Sequence, residues 1–345
     1  MSSLQQPPRS IAELEEIITR PSKAVLSAID QSPGDFMVVG AGGKMGFHIS
    51  RMLQRGIQET GRNNSVSVVS RFSSPRAREP FERLGFNVVA ADLSDPNQIA
   101  NVPHTQNVIY LAGVKFGTSS DAGLLKQMNV TMPELVAGHF RDSRIVALST
   151  GCVYSFTTPE SGGSTEQSAT DPPGAYAQSC LERERAFVRG SMEHGTKCAL
   201  VRLNYSIELR YGVLVDIAQQ VKAGASIDVT TGYVNVIWQG DAVAQVLQCL
   251  PHAASPPMVI NVTGTEALAV RDLATGFADR FGCVAKFAGS EAASCWLNNS
   301  ARARELFGQP SVNVEQMMDW IADWIDHGGE TLGKPTQFQN RDGNY

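Results

Sequence analysis

A glycine-rich segment near residue 40 has the residue types and spacing of a phosphate-binding turn. It follows the apolar run FMVV, precedes a helical stretch and reads Gly40-Ala41-Gly42-Gly43-Lys44-Met45-Gly46. Gly40 permits a tight turn, Gly43 lets a pyrophosphate approach the backbone, and Gly46 lets the helix pack closely on the strand. Free N–H groups and the positive end of the helix dipole then favour phosphates. Because strand, turn, helix and second strand follow in the required order, we predict a nucleotide-binding turn rather than a tight strand–helix connection alone.

The end of the second predicted strand bears on which dinucleotide is bound. A carboxylate at this position would hydrogen-bond the adenosine ribose and repel a 2′-phosphate. This chain has Ser70 and Arg71 there instead, with Arg76 and Arg78 soon after them and Lys44 in the glycine turn. Serine and arginine suit a phosphate dianion, so the sequence favours NADP over NAD. The alternative is that Arg71 stacks on the adenine, which would fit either cofactor.

Two residues with hydroxyl groups, Thr150 and Tyr176, are candidates for contact with a reacting substrate. Thr150 comes just past the fifth predicted strand, and Tyr176 begins a helical stretch after a long polar loop. The carboxyl ends of parallel strands border the crevice in which ligands of such sheets bind. A hydroxyl at that edge can hold a reacting oxygen, and a tyrosine that faces it can exchange a proton. Taken singly, each residue also fits a purely structural role, as a strand-end hydroxyl or a helix-start aromatic.

These residues require a sheet that brings them together. Apolar, β-branched strand candidates lie at residues 36–39, 66–69, 87–91, 107–111, 144–148 and 198–202. Helical segments between them lie at residues 44–58, 75–84, 122–140 and 176–189. Continuously apolar strands that alternate with helices imply a parallel sheet covered on both faces. With right-handed crossovers, the fold class is α/β, a doubly wound parallel sheet of Rossmann type with a smaller, mostly helical C-terminal lobe.

Changes in this alternation divide the chain. Residues 1–33 are predicted to form a helical extension, 34–202 the dinucleotide-binding domain, 203–330 a substrate-binding lobe with segments that return to the main domain, and 331–345 a tail. In the lobe we predict helices at 211–222, 241–250, 270–281, 301–307 and 314–325, and strands at 234–238 and 258–262. The Ser/Thr/Gly/Pro-rich loop at 155–174 has a length typical of functional lids.

Composition and charge exclude several classes of protein. The 345 residues are 42% hydrophobic and carry a formal net charge of −5, which argues against a nucleic-acid scaffold or a basic membrane-surface protein. Apolar runs are strand-sized, and the N-terminus shows no secretory pattern. Six scattered cysteines without a CxxC pair predict free thiols in a reducing cytoplasm. The isolated histidines predict no metal site.

Several short motifs follow one another in a fixed order. They read FMVVGAGGKMG at 36–46, ADL at 91–93, VIYLAG at 108–113, VALSTGCVY at 146–154 and YAQS at 176–179. In this order they resemble the extended short-chain dehydrogenase/reductases, a group that includes nucleotide-sugar epimerases, dehydratases and reductases. RLNYS at 202–206, VNVIWQGDAVA at 234–244 and NVTGTEALAVRDLA at 261–274 are similar to the second half of that family. The resemblance therefore covers residues 34–330.

The resemblance implies a role for each matching residue. Thr150 matches the residue whose hydroxyl holds the reacting oxygen, Tyr176 matches the general acid/base of hydride transfer, and Asn204 matches an asparagine near the substrate phosphate or sugar. The cofactor is accordingly expected to contact Gly40, Gly42, Gly43, Lys44, Met45, Gly46, Ser70, Arg71, Asp92, Leu93, Leu111, Ala112, Gly113, Tyr176 and Cys180. The substrate is expected to contact Lys115, Thr150, Gly151, Cys152 and Asn204.

One position departs from the family pattern. The family has lysine four residues after the tyrosine, on the same helix face, and this chain has Cys180. Without that charge, holding the phenolate near pH 7 costs about 4 kcal/mol. Lys115, just past the fourth strand, is the best substitute and our third candidate catalytic residue, with an ordinary loop lysine as the alternative. Arg183 and Arg185 are interpreted as surface charges.

Two functions remain open from the sequence. The first is an NAD(P)-dependent epimerase or reductase of a sugar, nucleotide sugar or sugar-derived acid. The second is a non-catalytic NAD(P)-binding regulator that has lost the lysine. A dehydratase is disfavoured because Gly151 and Cys152 replace the Asp-Glu pair of that branch. The resemblance also predicts a homodimer that uses helices at 122–140 and 176–189.

Overall fold

The computed structural model describes residues 6–114 and 122–341, and a seven-stranded parallel sheet forms its centre. The strands are β1 (Phe36–Val39), β2 (Val66–Ser70), β3 (Asn87–Ala90), β4 (Asn107–Tyr110), β5 (Arg144–Thr150), β6 (Cys198–Leu203) and β11 (Met258–Val262). They lie in the order β11-β6-β5-β4-β1-β2-β3. The order reverses between β1 and β4, which opens a crevice beyond the carboxyl ends of these strands. The predicted doubly wound α/β fold is confirmed.

Helices cover both faces of the sheet. They are α1 (Ile11–Ile18), α2 (Lys23–Asp30), α3 (Gly46–Glu59), α4 (Pro75–Arg83), α5 (Pro96–Ile99), α6 (Ala122–Lys126), α7 (Met132–His139), α8 (Ala175–His194), α9 (Val213–Lys222), α10 (Gln239–Gln248), α11 (Val270–Phe281), α12 (Ala301–Phe307) and α13 (Val314–Asp326). Alternate residues of β1 point to opposite faces. Phe36 and Val38 join the core beneath α3 and α10, and Met37 and Val39 join the core beneath α7 and α8. Burial on both faces explains the continuous apolar character of the strand.

A smaller lobe follows β6 in the chain. Its short strands pair as β7 (Ser206–Ile207) with β10 (Ile237–Trp238), β8 (Ser226–Asp228) with β13 (Lys286–Ala288), and β9 (Tyr233–Val234) with β12 (Leu268–Ala269). Helices α9, α11 and α13 enclose its apolar core, in which Trp320 and Trp324 are buried. Both tryptophans are therefore structural residues of this core.

The N-terminal extension ties this lobe to the sheet, and the C-terminal tail packs on the lobe. Leu14 and Ile18 of α1 are buried in the core of the lobe, and Val25 and Ile29 of α2 are buried in the core beneath α3. Phe338, in the C-terminal tail, is also buried in the lobe. The N-terminal extension thus bridges two apolar cores.

Two local predictions were wrong, and a third stays open. The helix expected at 122–140 is interrupted by a π-helical turn (Gln127–Thr131) between α6 and α7. The strand expected at 234–238 is divided into β9 and β10, which pair with different partners. The loop at 155–174 lies against the lobe, because Thr157 exchanges two backbone hydrogen bonds with Cys295. Its role as a lid stays a prediction.

Two further observations bear on the kind of protein. All six cysteines are free thiols. Within residues 6–114 and 122–341, no helix combines the length and apolar character needed to cross a bilayer.

Candidate active site

Two adjoining cavities lie at the carboxyl ends of the central strands. The first has a volume of about 370 Å³ and the second about 280 Å³. Both are lined by Gly40, Gly43, Leu111 and Gly113, which follow β1 and β4. The cavities therefore meet where the strand order reverses, the position at which such sheets bind ligands.

The glycine turn between β1 and α3 leaves no room for side chains. Gly40 has a φ of +83°, and a Cβ added to it would lie 2.6 Å from the backbone nitrogen of Ala112. A Cβ on Gly42 would lie 2.9 Å from Ser70 Oγ, and one on Gly46 would overlap the Ala41 carbonyl. The bare backbone borders both cavities at the start of the 14-residue helix α3. This cradle fits a dinucleotide pyrophosphate.

The second cavity contains most of the residues predicted for the adenosine half of a cofactor. Its lining includes Ser70, Arg71, Asp92, Leu93 and Ala112. The Arg71 side chain is exposed. The carboxylate of Asp92 accepts hydrogen bonds from the backbone N–H and the hydroxyl of Ser94, at 3.0 and 2.7 Å. It therefore also stabilises the turn that follows β3.

The basic residues near Arg71 separate in the structure. Arg78 pairs with Glu82 on the surface of α4, at 2.6 Å. Arg76 lines a neighbouring cavity with Lys44. Lys44 also lines the first cavity, where its Nζ lies 3.1 Å from the centre of the Tyr211 ring. The preference for NADP therefore depends on Arg71 and Ser70, and it stays a prediction.

The two candidate hydroxyls both line the first cavity. Thr150 ends β5, and its Oγ1 accepts a hydrogen bond from the Cys152 N–H at 3.2 Å, so its own proton points elsewhere. Tyr176 lies in the first turn of α8, which begins after Gly174 at a φ of +78°. Burial raises the pKa of Tyr176 well above its ordinary value; the Cys180 thiol raises it further, and the Arg183 charge opposes both.

Other predicted residues lie at or behind this cavity. Met45, Gly46, Cys152 and Asn204 are among its lining residues. Asn204 is 2% exposed, and its amide nitrogen donates to Asn235 Oδ1 at 2.9 Å. Lys115 lies outside the described residues.

Cys180 and Gly151 are not among the described lining residues of either cavity. Cys180 is fully buried one turn after Tyr176, where burial raises the pKa of its thiol. Gly151 packs under the side chains of Asn298 and Asn204. Both residues support the cavity wall from behind.

The interpretation of Arg183 as a surface charge was wrong. Arg183 is only 8% exposed, whereas Arg185 lies on the surface and pairs with Glu182. The Arg183 guanidinium donates to Asn129 Oδ1 at 2.6 Å. A signal was present in the sequence, because residues 176, 180 and 183 share one face of a helix. The charge of Arg183 nevertheless favours a surface position, and its burial could not be predicted because it depends on the hydrogen bond to Asn129, which forms only in the folded chain.

Glu184 is also buried, although its charge suggests a surface position. Its carboxylate accepts from Arg202 Nη2 at 2.7 Å and Nε at 3.0 Å, and from the Ser149 hydroxyl at 2.6 Å. Arg202 also donates to the Tyr154 hydroxyl at 2.7 Å. Since Ser149 lines the first cavity, this buried ion pair connects α8 and β6 directly behind the site.

The far wall of the first cavity comes from the lobe and the tail, which the sequence motifs did not assign to the site. Tyr205, Tyr211, Gln239 and Thr336 contribute to it. Thr336 is held by Asp216, whose Oδ2 accepts from the threonine N–H at 2.7 Å and hydroxyl at 2.6 Å. No local pattern marks Thr336, because its position depends on a contact across 120 residues.

The similarity of this chain to known proteins lies in its structure. No protein-family model matches the chain, and no curated protein matches it in sequence. Among solved structures, it is similar to a mutant Bacillus cereus UDP-glucuronic acid 4-epimerase in complex with UDP-4-deoxy-4-fluoro-glucuronic acid and NAD (15% identity, TM-score 0.69, covering 85% of this chain and 99% of that one).

Two further structures show the same relationship. A Thermus thermophilus UDP-glucose 4-epimerase in complex with NAD has 17% identity and a TM-score of 0.67 over 84% of this chain and 98% of that one. A dTDP-glucose 4,6-dehydratase double mutant from Streptomyces venezuelae, with NAD bound, has 16% identity and a TM-score of 0.68 over 84% and 96%. At these identities the similarity shows a shared fold.

Proposed function

We propose that this protein is a nicotinamide-dependent epimerase or reductase of a sugar, nucleotide sugar or sugar-derived acid. One observation carries the proposal. Thr150 and Tyr176 line a cavity that adjoins the predicted dinucleotide cavity across Gly40, Gly43 and Gly113. Hydride transfer needs this arrangement, in which an acid/base pair and a nicotinamide share one space.

The chain's own residues have distinct tasks in this reaction. The Thr150 hydroxyl donates a hydrogen bond to the substrate oxygen, since the Cys152 N–H occupies one lone pair of Oγ1 and leaves the O–H available to donate. Tyr176 removes the proton from that oxygen, or returns it when the carbonyl is reduced. The glycine turn and Gly113 would hold the nicotinamide dinucleotide, which when bound would supply the hydride acceptor or donor of the reaction. The buried cavity wall excludes water from the reacting atoms.

The nature of the structural neighbours supports a nucleotide-sugar substrate. Two of them are named as UDP-sugar 4-epimerases, and all three were crystallised with NAD. The third is named as a dehydratase, but Gly151 argues against that reaction in this chain. A Cβ at Gly151 would overlap Asn298 Oδ1, so an acidic side chain has no room directly after Thr150.

A non-catalytic NAD(P)-binding regulator is the second candidate. The observation in its favour is Cys180, which is buried and uncharged where the family has its lysine. Such a protein would bind the dinucleotide in the same two cavities without turnover. The two functions therefore differ in what Tyr176 does, and a substitution there separates them.

Tyr176→Phe is expected to abolish turnover while leaving dinucleotide binding intact. The variant removes one hydroxyl, and loss of a general acid/base lowers rates by about a hundredfold or more. Turnover is measured with UDP-glucose, UDP-glucuronic acid and free sugars, through nicotinamide absorbance and product analysis. NAD and NADP binding are measured in parallel by titration calorimetry.

Tyr233→Phe is the matched control, since Tyr233 lies on β9 in the lobe. We expect this control to retain full activity. Unchanged activity in Tyr176→Phe would remove Tyr176 from the mechanism. Dinucleotide binding without turnover of any tested sugar would favour the regulator, and failure to bind either dinucleotide would contradict both functions.

A further inference from the structure

Arg183 is a buried cation next to the candidate acid/base. It lies seven residues after Tyr176 and three after Cys180, on the same face of α8. Its Nη2 donates to Asn129 Oδ1 at 2.6 Å and its Nη1 to the Leu148 carbonyl at 3.3 Å. Its buried Nε has no hydrogen-bond partner among the described residues. Both of these acceptors are neutral, so neither cancels the charge of the guanidinium.

Asn129 fixes the guanidinium in place. It is completely buried in the π-helical turn between α6 and α7. Its Oδ1 accepts from the Val114 N–H and from Arg183, and its Nδ2 donates to the Val114 carbonyl and the Ser179 hydroxyl. One amide therefore joins the segment after β4 to α8 and orients the cation between them.

Gly113 separates this cation from the cavities. A Cβ on Gly113 would overlap the Arg183 guanidinium, and it would lie 3.0 Å from Asn129 Oδ1. Gly113 lines both cavities. The guanidinium thus lies directly behind the wall that the two cavities share.

We propose that Arg183 takes over the task of the lysine that Cys180 replaces. It is a positioning residue: a fixed buried cation, held by Asn129 behind Gly113, that stabilises the ionised phenol of Tyr176. Arg183 lies about one helical turn beyond residue 180, where the family has its lysine, and on the same helix face. Its charge therefore acts on the Tyr176 phenol from behind the cavity wall rather than from inside the cavity. The proposal rests on the function proposed above for the role of Tyr176.

The groups around this pair are consistent with the assignment. Tyr110 from β4, Cys152 after β5, and Cys180 and Glu184 from α8 face the two residues. Glu184 is engaged by Arg202. Although burial works against the charge, Cys180, Tyr110 and Tyr176, with a further contribution from Glu184, raise the pKa of Arg183 above its ordinary value, so the guanidinium stays protonated.

The test reads the ionisation of residue 176 directly and needs no substrate. Difluorotyrosine, a more acidic tyrosine analogue, is incorporated in place of Tyr176 in the full chain, and its fluorine NMR shift is followed against pH. Arg183→Met is expected to raise the pKa of this phenol by about 1 to 3, a tenfold or greater loss of the ionised form. Arg185→Met, which removes an exposed arginine from the same helix, is expected to leave the titration unchanged.

Two further variants keep the proposal falsifiable. Cys180→Lys combined with Arg183→Met is expected to restore the lower pKa, because it returns the charge to the position of the family lysine. Arg183→Gln retains a hydrogen-bond donor without charge and replaces Arg183→Met if that variant does not fold. An unchanged titration in either folded neutral variant would overturn the proposal. That result would leave the proposed function standing, since the loss of turnover in Tyr176→Phe is measured separately.

Discussion

At the scale of single residues, the surroundings of the site change how readily its side chains ionise. Tyr176 and Cys180 are ordinary side chains whose burial disfavours their ionised forms. Arg183 works in the opposite direction, because a buried cation favours a nearby anion. The site therefore combines a hydroxyl pair, Thr150 and Tyr176, with a charge that does not touch the cavity. In the proposed function, proton transfer by Tyr176 at neutral pH depends on the balance between burial and that charge.

The predicted preference for NADP also depends on single residues. Arg71→Ala is expected to weaken NADP binding by about tenfold and to change NAD binding little, because a charge-assisted hydrogen bond to the 2′-phosphate is lost. Titration calorimetry with both dinucleotides measures the two affinities. Arg78→Ala is the control, since Arg78 pairs with Glu82 on α4. Equal weakening for both cofactors would indicate that Arg71 stacks on the adenine instead.

At the scale of elements, the π-helical turn at Gln127–Thr131 is the feature that shapes the site. An uninterrupted helix would carry residue 129 at a different angle, and such turns are frequent at functional sites. Here the turn directs Asn129 toward α8 and the segment after β4. Through Asn129, the π-helical turn thus links α8 to the segment after β4, which the hydrogen bonds of the sheet do not connect.

The contact between α3 and α10 gives the protein a pH-dependent stability. His48 of α3 is 2% exposed and shares a 2.6 Å hydrogen bond with Gln239. Burial, with a smaller contribution from Arg210, lowers the pKa of His48 to about 3. The unfolded chain binds a proton below about pH 6.5 and the folded chain does not, so stability present above that pH is lost as pH falls.

This loss amounts to about 1.4 kcal/mol of unfolding free energy per pH unit between about pH 6.5 and the folded pKa. His48→Gln is expected to remove that part of the pH dependence, as measured by urea unfolding at pH 7 and pH 5. His194→Gln, at an exposed position on α8, is expected to retain it. The same slope in His48→Gln as in the unchanged protein would contradict the prediction.

At the scale of the whole molecule, the first cavity is assembled from distant parts of the chain. The glycine turn and the strand ends form one wall, and the lobe and the tail form the other. The N-terminal helices join the cores of both parts. Closure of the cavity therefore depends on packing between the sheet and the lobe.

The predicted homodimer belongs to this scale. Val188 and Met192 on α8 are exposed apolar side chains, at 36% and 65%, on a helix that the resemblance places at the dimer face. Sedimentation is expected to give a mass twice 37.2 kDa, and Met192→Glu is expected to weaken the dimer. Val284→Glu, at a comparably exposed valine outside α8, is the control. A monomeric mass at all concentrations would contradict the prediction.

Much of the fold could be predicted from the sequence because its signals are local. The strand at 36–39 and the helices at 270–281 and 301–307 agree with the structure at both ends. A continuously apolar strand between helices is typical of a parallel sheet that is buried on both faces. A turn whose conformation only glycine adopts can be recognised from its glycine residues. The positions of Thr150 and Tyr176 followed from the same strand and helix ends.

Residue types and their order along the chain were thus enough to predict the doubly wound sheet, the glycine cradle and the two hydroxyls beside it. Which charges are buried, and which residues close the cavity, became visible in the folded chain alone. Arg183, Glu184 and Thr336 owe their places to partners brought from elsewhere in the chain. A charged side chain is buried only where folded partners offset its desolvation, and that balance does not exist until those partners meet.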